Sequence, residues 1–236
     1  MIEFLKETVL SASKLITDDF KVDKKGDDYD LITNLDLEVE KYIINTIKNE
    51  YPDYDIVSEE FNSSKNISNN CFTIDPIDGT INFANGIPLW GIQVACIKNG
   101  KPVAAVIYLP KFNELYYADE KGAYLNNKKI KIKEVPIKNA IYVIEGNHSE
   151  EKNIKIIKKM YKNAKNQRIL GSMCVSFSYM AKGIINGVVF DADRPWDYMP
   201  GIYICEKAGA KIKNNKDFHA AAMNEEFLNI LEEACK

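Results

Sequence analysis

A chain of 236 residues, 46% of them hydrophobic, can bury a substantial core, which excludes a disordered or fibrous protein and fits a single domain across 1–236 or two tightly packed subdomains. Its net charge of −3 provides no global field for nucleic acid or an anionic membrane, so neither is an expected partner. The five cysteines, Cys71, Cys96, Cys174, Cys205 and Cys235, form no Cys-x-x-Cys pair, and the two histidines, His148 and His219, lack metal-type spacing, which argues against a disulfide scaffold, a zinc site or a histidine-centred triad.

The N-terminus carries Glu3 and Glu7 without an apolar run and cleavage site, and no segment reaches the length of a membrane span, so a cytoplasmic location is expected. Phe4, Leu5, Val9, Ala12, Leu15 and Ile16 recur at helical spacing and predict a first helix ending near Thr17-Asp18-Asp19. Charged residues from Lys21 to Tyr29 read as an exposed loop. Asp36 stands before a second helical pattern, Val39, Ile43, Ile44 and Ile47, where a helix N-cap is one reading of it. Asp55 to Ser58 reads as a short strand that runs into the acid pair Glu59-Glu60, followed by a polar loop to Asn70.

Phe72-Thr73-Ile74 reads as the end of a buried strand, and the next six residues are the most informative of the chain. Asp75-Pro76-Ile77-Asp78-Gly79-Thr80 puts two carboxylates, a carbonyl and a hydroxyl on one turn stiffened by Pro76, with Gly79 leaving amide N–H groups open to an anion. A capped surface turn is the alternative, because Pro-x-Asp-Gly is a common turn former. Gly91 to Ile97, Val103 to Leu109 and Leu115 to Ala118 then predict an antiparallel meander, with a further hairpin from Gly122. The second half alternates. Strands are expected at Ile141 to Glu145, Arg168 to Leu170 and Gly187 to Asp191, and helices at Ser149 to Tyr161, Ser172 to Lys182, Trp196 to Ala208 and Glu225 to Cys235. A compact polar stretch around Asn214 to Asp217 fills the space before the last helix. Mixed α and β layers follow, without internal repeats.

Glu59, Asp75, Asp78 and Asp197 each sit at a strand end or a helix start, positions that can converge. Mg²⁺ prefers hard oxygen ligands and shares them with phosphate oxygens, and a pair of such ions suits phosphate-ester cleavage. The run Phe72-Thr73-Ile74-Asp75-Pro76-Ile77-Asp78-Gly79-Thr80-Ile81-Asn82-Phe83-Ala84-Asn85 resembles the principal signature of the inositol monophosphatase family throughout. Asp30 to Asp36, Ser58-Glu59-Glu60 and Trp196-Asp197 occur in that family's order, so the resemblance covers nearly the whole chain. It implies an α+β fold, the layered α-β-α-β-α sandwich of the sugar phosphatases, and a Mg²⁺-dependent, lithium-sensitive phosphomonoesterase that binds two or three Mg²⁺ ions and forms a homodimer. Carried over by position, Glu59, Asp75, the Ile77 carbonyl, Asp78 and Asp197 are implied metal ligands. Asp36 and Thr80 are implied to activate the attacking water, and the amides of Gly79, Thr80 and Ile81 to hold phosphate.

Departures from the family pattern bear on the substrate. Phe190 stands where inositol-selective members carry a glutamate, so a sugar phosphate, sugar bisphosphate or nucleotide substrate competes with inositol phosphate. Arg168 and Arg194 are candidates for a second phosphate, with ordinary surface arginines as the alternative, and Gly171 and Ser172 are further candidate substrate contacts. Arg194-Pro195-Trp196-Asp197 resembles members that also act as fructose-1,6-bisphosphatases. Met199 and Pro200 replace small residues, Pro200 being expected in the first turn of its helix. Two further readings are a 3′-phosphoadenosine-type nucleotide phosphatase and a regulatory binding protein that retains the fold.

Overall fold

The computed structural model describes residues 1–25, 31–146, 150–190, 194–215 and 218–236, and of Glu150 the backbone alone. The predicted calls on Asp30, His148, Ser149, Asp191 and Asp217 lie outside these residues. The chain opens with α1 (Ile2–Ala12), β1 (Val22–Lys24), β2 (Leu31–Thr33) and α2 (Asn34–Glu50), followed by β3 (Asp55–Ser58), β4 (Cys71–Asp78) and the short α3 (Thr80–Ala84). The meander is β5 (Gly91–Lys98), β6 (Lys101–Leu109), β7 (Glu114–Asp119), β8 (Gly122–Leu125) and β9 (Lys128–Lys129). The second half adds β10 (Ile141–Ile144), α4 (Glu150–Met160), β11 (Asn166–Arg168), α5 (Met173–Ala181), β12 (Gly187–Val189), α6 (Pro195–Lys207), β13 (Lys211–Asn214), β14 (His219–Ala222) and α7 (Glu225–Cys235).

Strands β3 to β9 form a seven-stranded sheet in sequence order, antiparallel except for the β3–β4 pair. A second sheet runs β11-β10-β12-β14-β13 and is mixed. Apolar stripes on α1 and α2, including Leu5, Val9, Val39, Ile43 and Ile47, cover one face of the first sheet through Phe72 and Ile74 of β4. Helices α5 and α6 fill the space between the sheets, in a core that joins Ala105 and Ile107 of one to Val143 and Val188 of the other. Phe227, Leu228 and Leu231 of α7 and Ile156 of α4 close the outer face of the second sheet. The result is an α-β-α-β-α sandwich.

The strong helical and strand patterns fall where the sequence predicts, and the differences have local causes. The first α-helix stops at Ala12, where a 3₁₀ turn over Ser13–Leu15 replaces its expected last turn and the Ser13 hydroxyl donates to Leu10 O at 2.8 Å. Val22 to Lys24, expected within a loop, pairs antiparallel with β2. Strand β11 lies two residues earlier than predicted. The β13–β14 hairpin had no strong sequence signal, because Ala220, Ala221 and Ala222 have little strand propensity and are placed by burial, Ala220 and Ala222 against α7 and Ala221 in the core between the sheets. Pro200 lies in the second turn of α6, since Pro195 already takes the first helical position, so the Trp196 carbonyl has no N–H of residue 200 to receive.

Gly201 explains how α5 and α6 approach so closely: a Cβ there would stand 2.2 Å from Phe177 Cδ2. Substituting Gly201→Ala gains about 1 kcal/mol in helix propensity against about 1–3 kcal/mol of overpacking. A net loss of stability of up to about 2 kcal/mol is expected in urea unfolding. An unchanged midpoint would show that Phe177 can step aside.

Candidate active site

Strand alternation alone would send Asp75 and Asp78, three residues apart, to opposite faces of the sheet. Along β5, however, Gln93 pairs with Asp75 and Gly91 with Asp78, so three residues of β4 span two of β5. Gln93 and Gly91 share a face, and the extra residue in β4 therefore brings both aspartates to it. Pro76, which cannot donate to the ladder, sits inside this irregular stretch. The chain then turns through Gly79 at φ 90°, a left-handed conformation. A Cβ at that position would lie 2.9 Å from Leu89 O and 3.0 Å from Ser172 Cβ, so the turn is pressed between two other segments.

Glu59, Asp75, Asp78 and Asp197 line one cleft of about 150 Å³, together with Ile77, Gly79, Thr80, Ile81, Gly171 and Arg194. Asp75 is buried and Asp78 nearly so. Burial, and then the charges of Glu59, Asp78 and Asp197, hold the Asp75 carboxyl well above its ordinary range. Asp197, in the first turn of α6, is pushed well up in the same way by burial and by Asp78 and Glu59. Burial also raises Asp78, against the opposing effect of its donors at the start of α5. There Ser172 Oγ donates to Asp78 Oδ2 at 2.6 Å, Cys174 N to the same oxygen at 2.6 Å, and Met173 N to Oδ1 at 3.3 Å. Gln93 Nε2 links Asp75 Oδ2 at 3.3 Å to the Asp197 carbonyl at 3.0 Å.

Asp36 is buried and belongs to the capping box of α2, as the third helical residue and not the N-cap, a position taken by Thr33. Its Oδ2 accepts from Thr33 N at 2.8 Å and from Thr33 Oγ1 at 2.5 Å. Its Oδ1 lies 3.4 Å from Thr80 Oγ1, which also donates to Ile77 O at 2.9 Å. Burial lifts the Asp36 carboxyl to about 6, despite the Thr33 donors.

Three predicted contacts do not line the cleft. Arg168 is exposed on the edge strand β11 and donates to Gln167 O at 2.6 Å. Phe190 is buried between the sheets, 5.3 Å from the Phe177 ring and 5.8 Å from that of Tyr198, because an apolar side chain at this point packs into the core. Ser172 is buried and caps α5 while holding Asp78. Conversely, Lys25, read from sequence as part of a solvated charge run, reaches Glu59 Oε1 at 3.0 Å and also bonds Glu60. Burial pulls its ammonium down, but Glu59 and Glu60 outweigh that and hold it up. Glu40 carried no signal beyond its place on α2. It accepts from Glu60 N and Phe61 N, both at 2.8 Å, and so fixes the segment that presents Glu59.

The donor set suits a hard divalent cation: four carboxylates and the Ile77 carbonyl, with neither sulfur nor imidazole. Asp75 Oδ1 is buried without a hydrogen-bond partner, an arrangement that is costly unless a cation answers it. Among the described residues, no three such side chains close into a metal cage, since Glu59 faces Lys25 and Asp78 faces α5. An ion such as Mg²⁺, which keeps several of its waters, does not require a closed cage.

The inositol monophosphatase family model matches residues 1–227. The chain belongs to this family. A fructose-1,6-bisphosphatase/inositol-1-monophosphatase of Thermotoga maritima is 32% identical over 208 residues, covering 88% of this chain and 80% of the relative. The extragenic suppressor protein suhB of Bartonella henselae superimposes with a TM-score of 0.89 at 26% identity, covering 99% of this chain and 97% of that one. An IMPase/NADP phosphatase crystallised with Mg²⁺ and phosphate has a TM-score of 0.82 at 20% identity, covering 98% of this chain and 91% of that one, a likeness of fold. Among the described residues no helix is long and apolar enough to cross a membrane.

Buried carboxyls raised to about 6 in Asp36 and about 7 in Glu60, in both cases by burial first, bind protons in the folded chain that the unfolded chain has released. Their contribution to stability is complete below the ordinary carboxylate range and is lost as pH rises through 6 to 7. Without added metal, urea unfolding should therefore show stability falling by on the order of a few kcal/mol from pH 4.5 to pH 8. A flat or rising profile would contradict this.

Proposed function

We propose that the chain is a Mg²⁺-dependent phosphomonoesterase acting on a small sugar or polyol phosphate, with 1–236 working as one catalytic domain. The observation that carries this reading is the convergence of Glu59, Asp75, Asp78 and Asp197 on one cleft beside the Gly79 turn. Glu59, Asp75, the Ile77 carbonyl, Asp78 and Asp197 would hold two or three ions. Bound Mg²⁺ supplies positive charge that offsets the phosphate dianion and lowers the pKa of water.

The chain's own residues do the rest. The amides of Gly79, Thr80 and Ile81 face the phosphate oxygens from the turn that the left-handed Gly79 creates. The Thr80 hydroxyl orients the attacking water and relays its proton to the buried Asp36, 3.4 Å behind it, whose carboxyl at about 6 is suited to transfer near neutrality. The water oxygen bonds phosphorus as its proton is taken up, the ester P–O bond breaks, the departing alkoxide takes a proton from solvent, and Asp36 returns its own to solvent. Asp75 would be engaged by the cation and Asp78 is held by α5, which favours direct attack by water over a phosphorylated aspartate.

Arg194 lines the cleft, with its guanidinium 3.9 Å from Glu59 Oε1. It favours a bisphosphate as a second substrate class, since a guanidinium binds phosphate oxygens in pairs. Arg168 no longer supports that class. Names of the Thermotoga maritima relative agree with both classes.

Phosphate release should be measured over inositol 1-phosphate, fructose 1,6-bisphosphate and adenosine 3′,5′-bisphosphate, with Mg²⁺, after chelation, and with Li⁺ added. Turnover that needs Mg²⁺ and that falls in Asp78→Asn by more than the roughly 10–100-fold expected for partners outside the ligand set supports the proposal. Full activity in chelator or in that variant would refute it. Absent turnover over the whole panel would favour the regulatory reading.

Protons and cations compete for Asp75 and Asp197, whose carboxyls burial and mutual repulsion hold well up. Half-saturating Mg²⁺ should therefore be lower at pH 8 than at pH 6. Equal values at the two pH values would mean that these groups are already ionised before the cation binds.

A further inference from the structure

Glu145 lies just beyond β10, in the second sheet, and belongs to none of the groups assigned above. It is 4% exposed, yet both its oxygens are engaged. Oε1 accepts from Leu170 N at 2.9 Å and from Ser176 Oγ at 2.7 Å, and Oε2 accepts from Gly171 N at 3.2 Å. One carboxylate thus gathers two consecutive backbone amides and a hydroxyl from the next element of the chain.

These amides belong to the segment that enters α5. Gly171 is at φ 70°, so the chain turns sharply there, and the following residues, Ser172, Met173 and Cys174, are those that hold Asp78. From the opposite side Asn82 Nδ2 donates to Leu170 O at 2.8 Å and Gly171 O at 3.3 Å. The segment is therefore pinned by its amides to Glu145 and by its carbonyls to α3. A buried carboxylate is a costly way to fix a loop unless position matters, because an apolar contact would cost less to bury.

We propose that Glu145 is a positioning residue that sets where Asp78 stands in the cleft, acting through the Leu170–Cys174 segment without touching cation or substrate. The path is Glu145 to the Leu170 and Gly171 amides, then to the Ser172 hydroxyl and Cys174 amide, and then to the Asp78 carboxylate. Loss of the clamp lets the start of α5 shift, and Asp78 with it. Glu145→Gln keeps the shape, but its amide group turns a donor toward at least one of the donors it must accept from. Ser176→Ala removes one contact of Glu145 and leaves the loop amides held, so it reports the structural contribution alone.

This inference rests on the Mg²⁺ reading of the cleft, and it is tested by binding, separately from turnover. Isothermal titration of full-length protein with Mg²⁺ should show affinity weakened by roughly 10–100-fold in Glu145→Gln, with Ser176→Ala close to the parent. Hydrogen exchange of the Met173 and Cys174 amides should speed up in Glu145→Gln and not in Ser176→Ala. Adding Ser172→Ala to Glu145→Gln should weaken Mg²⁺ no further than the more severe single change, because both act on one path. Unchanged Mg²⁺ affinity and unchanged exchange in a folded Glu145→Gln would overturn the proposal. So would equal losses in Glu145→Gln and Ser176→Ala. If Glu145→Gln does not fold, Glu145→Asp serves, being one methylene too short to reach both amides, and the same outcomes decide. A parent protein that binds no Mg²⁺ sinks the metal reading and leaves exchange at Met173 and Cys174 to decide the role of Glu145.

Discussion

Four carboxylates share one small cleft, and their mutual repulsion is the constraint that the surrounding structure answers. Three devices offset it. Burial first, and then the neighbouring charges, hold the carboxyls of Asp75 and Asp197 well above their ordinary range, which favours their neutral forms. Cationic side chains approach the rim, Lys25 and Arg194 both facing Glu59. Neutral donors converge on Asp78 from the first turn of α5, where the unpaired amides of a helix start favour a negative charge. Each device is one that a bound cation would replace or reinforce.

The cleft is made where elements that are distant in sequence meet. Strand β4 delivers Asp75 and Asp78 to one face through its extra residue, α6 delivers Asp197 through its first turn, and β3 delivers Glu59. Close approach between these elements depends on residues without side chains. Gly201 lets α6 lie on Phe177 of α5, and Gly91 leaves room for Cys174 Sγ, which a Cβ there would meet at 2.9 Å. Buried polar residues then bind the parts to one another: Gln93 joins β4 to α6, Glu40 joins α2 to the Glu59 segment, and Glu145 joins the second sheet to the start of α5. Packing brings the acids near one another, and hydrogen bonds aim them.

Long amphipathic patterns were legible because burial of one face imposes a period that survives any detail of packing. Helices α2 and α7 and the β5–β7 meander fall into this class. The β1–β2 and β13–β14 pairs were not, since Asp23 and Lys24, exposed throughout, adopt strand conformation only through pairing with β2, and Ala220 to Ala222 only through pairing and burial. The candidate site divides in the same way. Asp75, Asp78 and Thr80 announce themselves through one continuous motif, whereas Lys25 looked like any other solvated lysine. Spacing put Phe190 near the substrate and guanidinium chemistry made Arg168 a candidate there, and their actual surroundings, a core and an edge strand, follow from packing that neither encodes.

By itself the sequence determined the chemistry of this protein: which carboxylates sit at strand ends and helix starts, which turn can present amides to an anion, and which family the motif resembles. Those are properties of short segments, and local stereochemistry governs them. Only the tertiary structure decided which groups face one another. Register, helix contact and burial are cooperative outcomes of the whole chain, so the shared face of Asp75 and Asp78, the reach of Lys25 to Glu59 and the hold of Glu145 on the start of α5 exist only once both sheets have closed on α5 and α6.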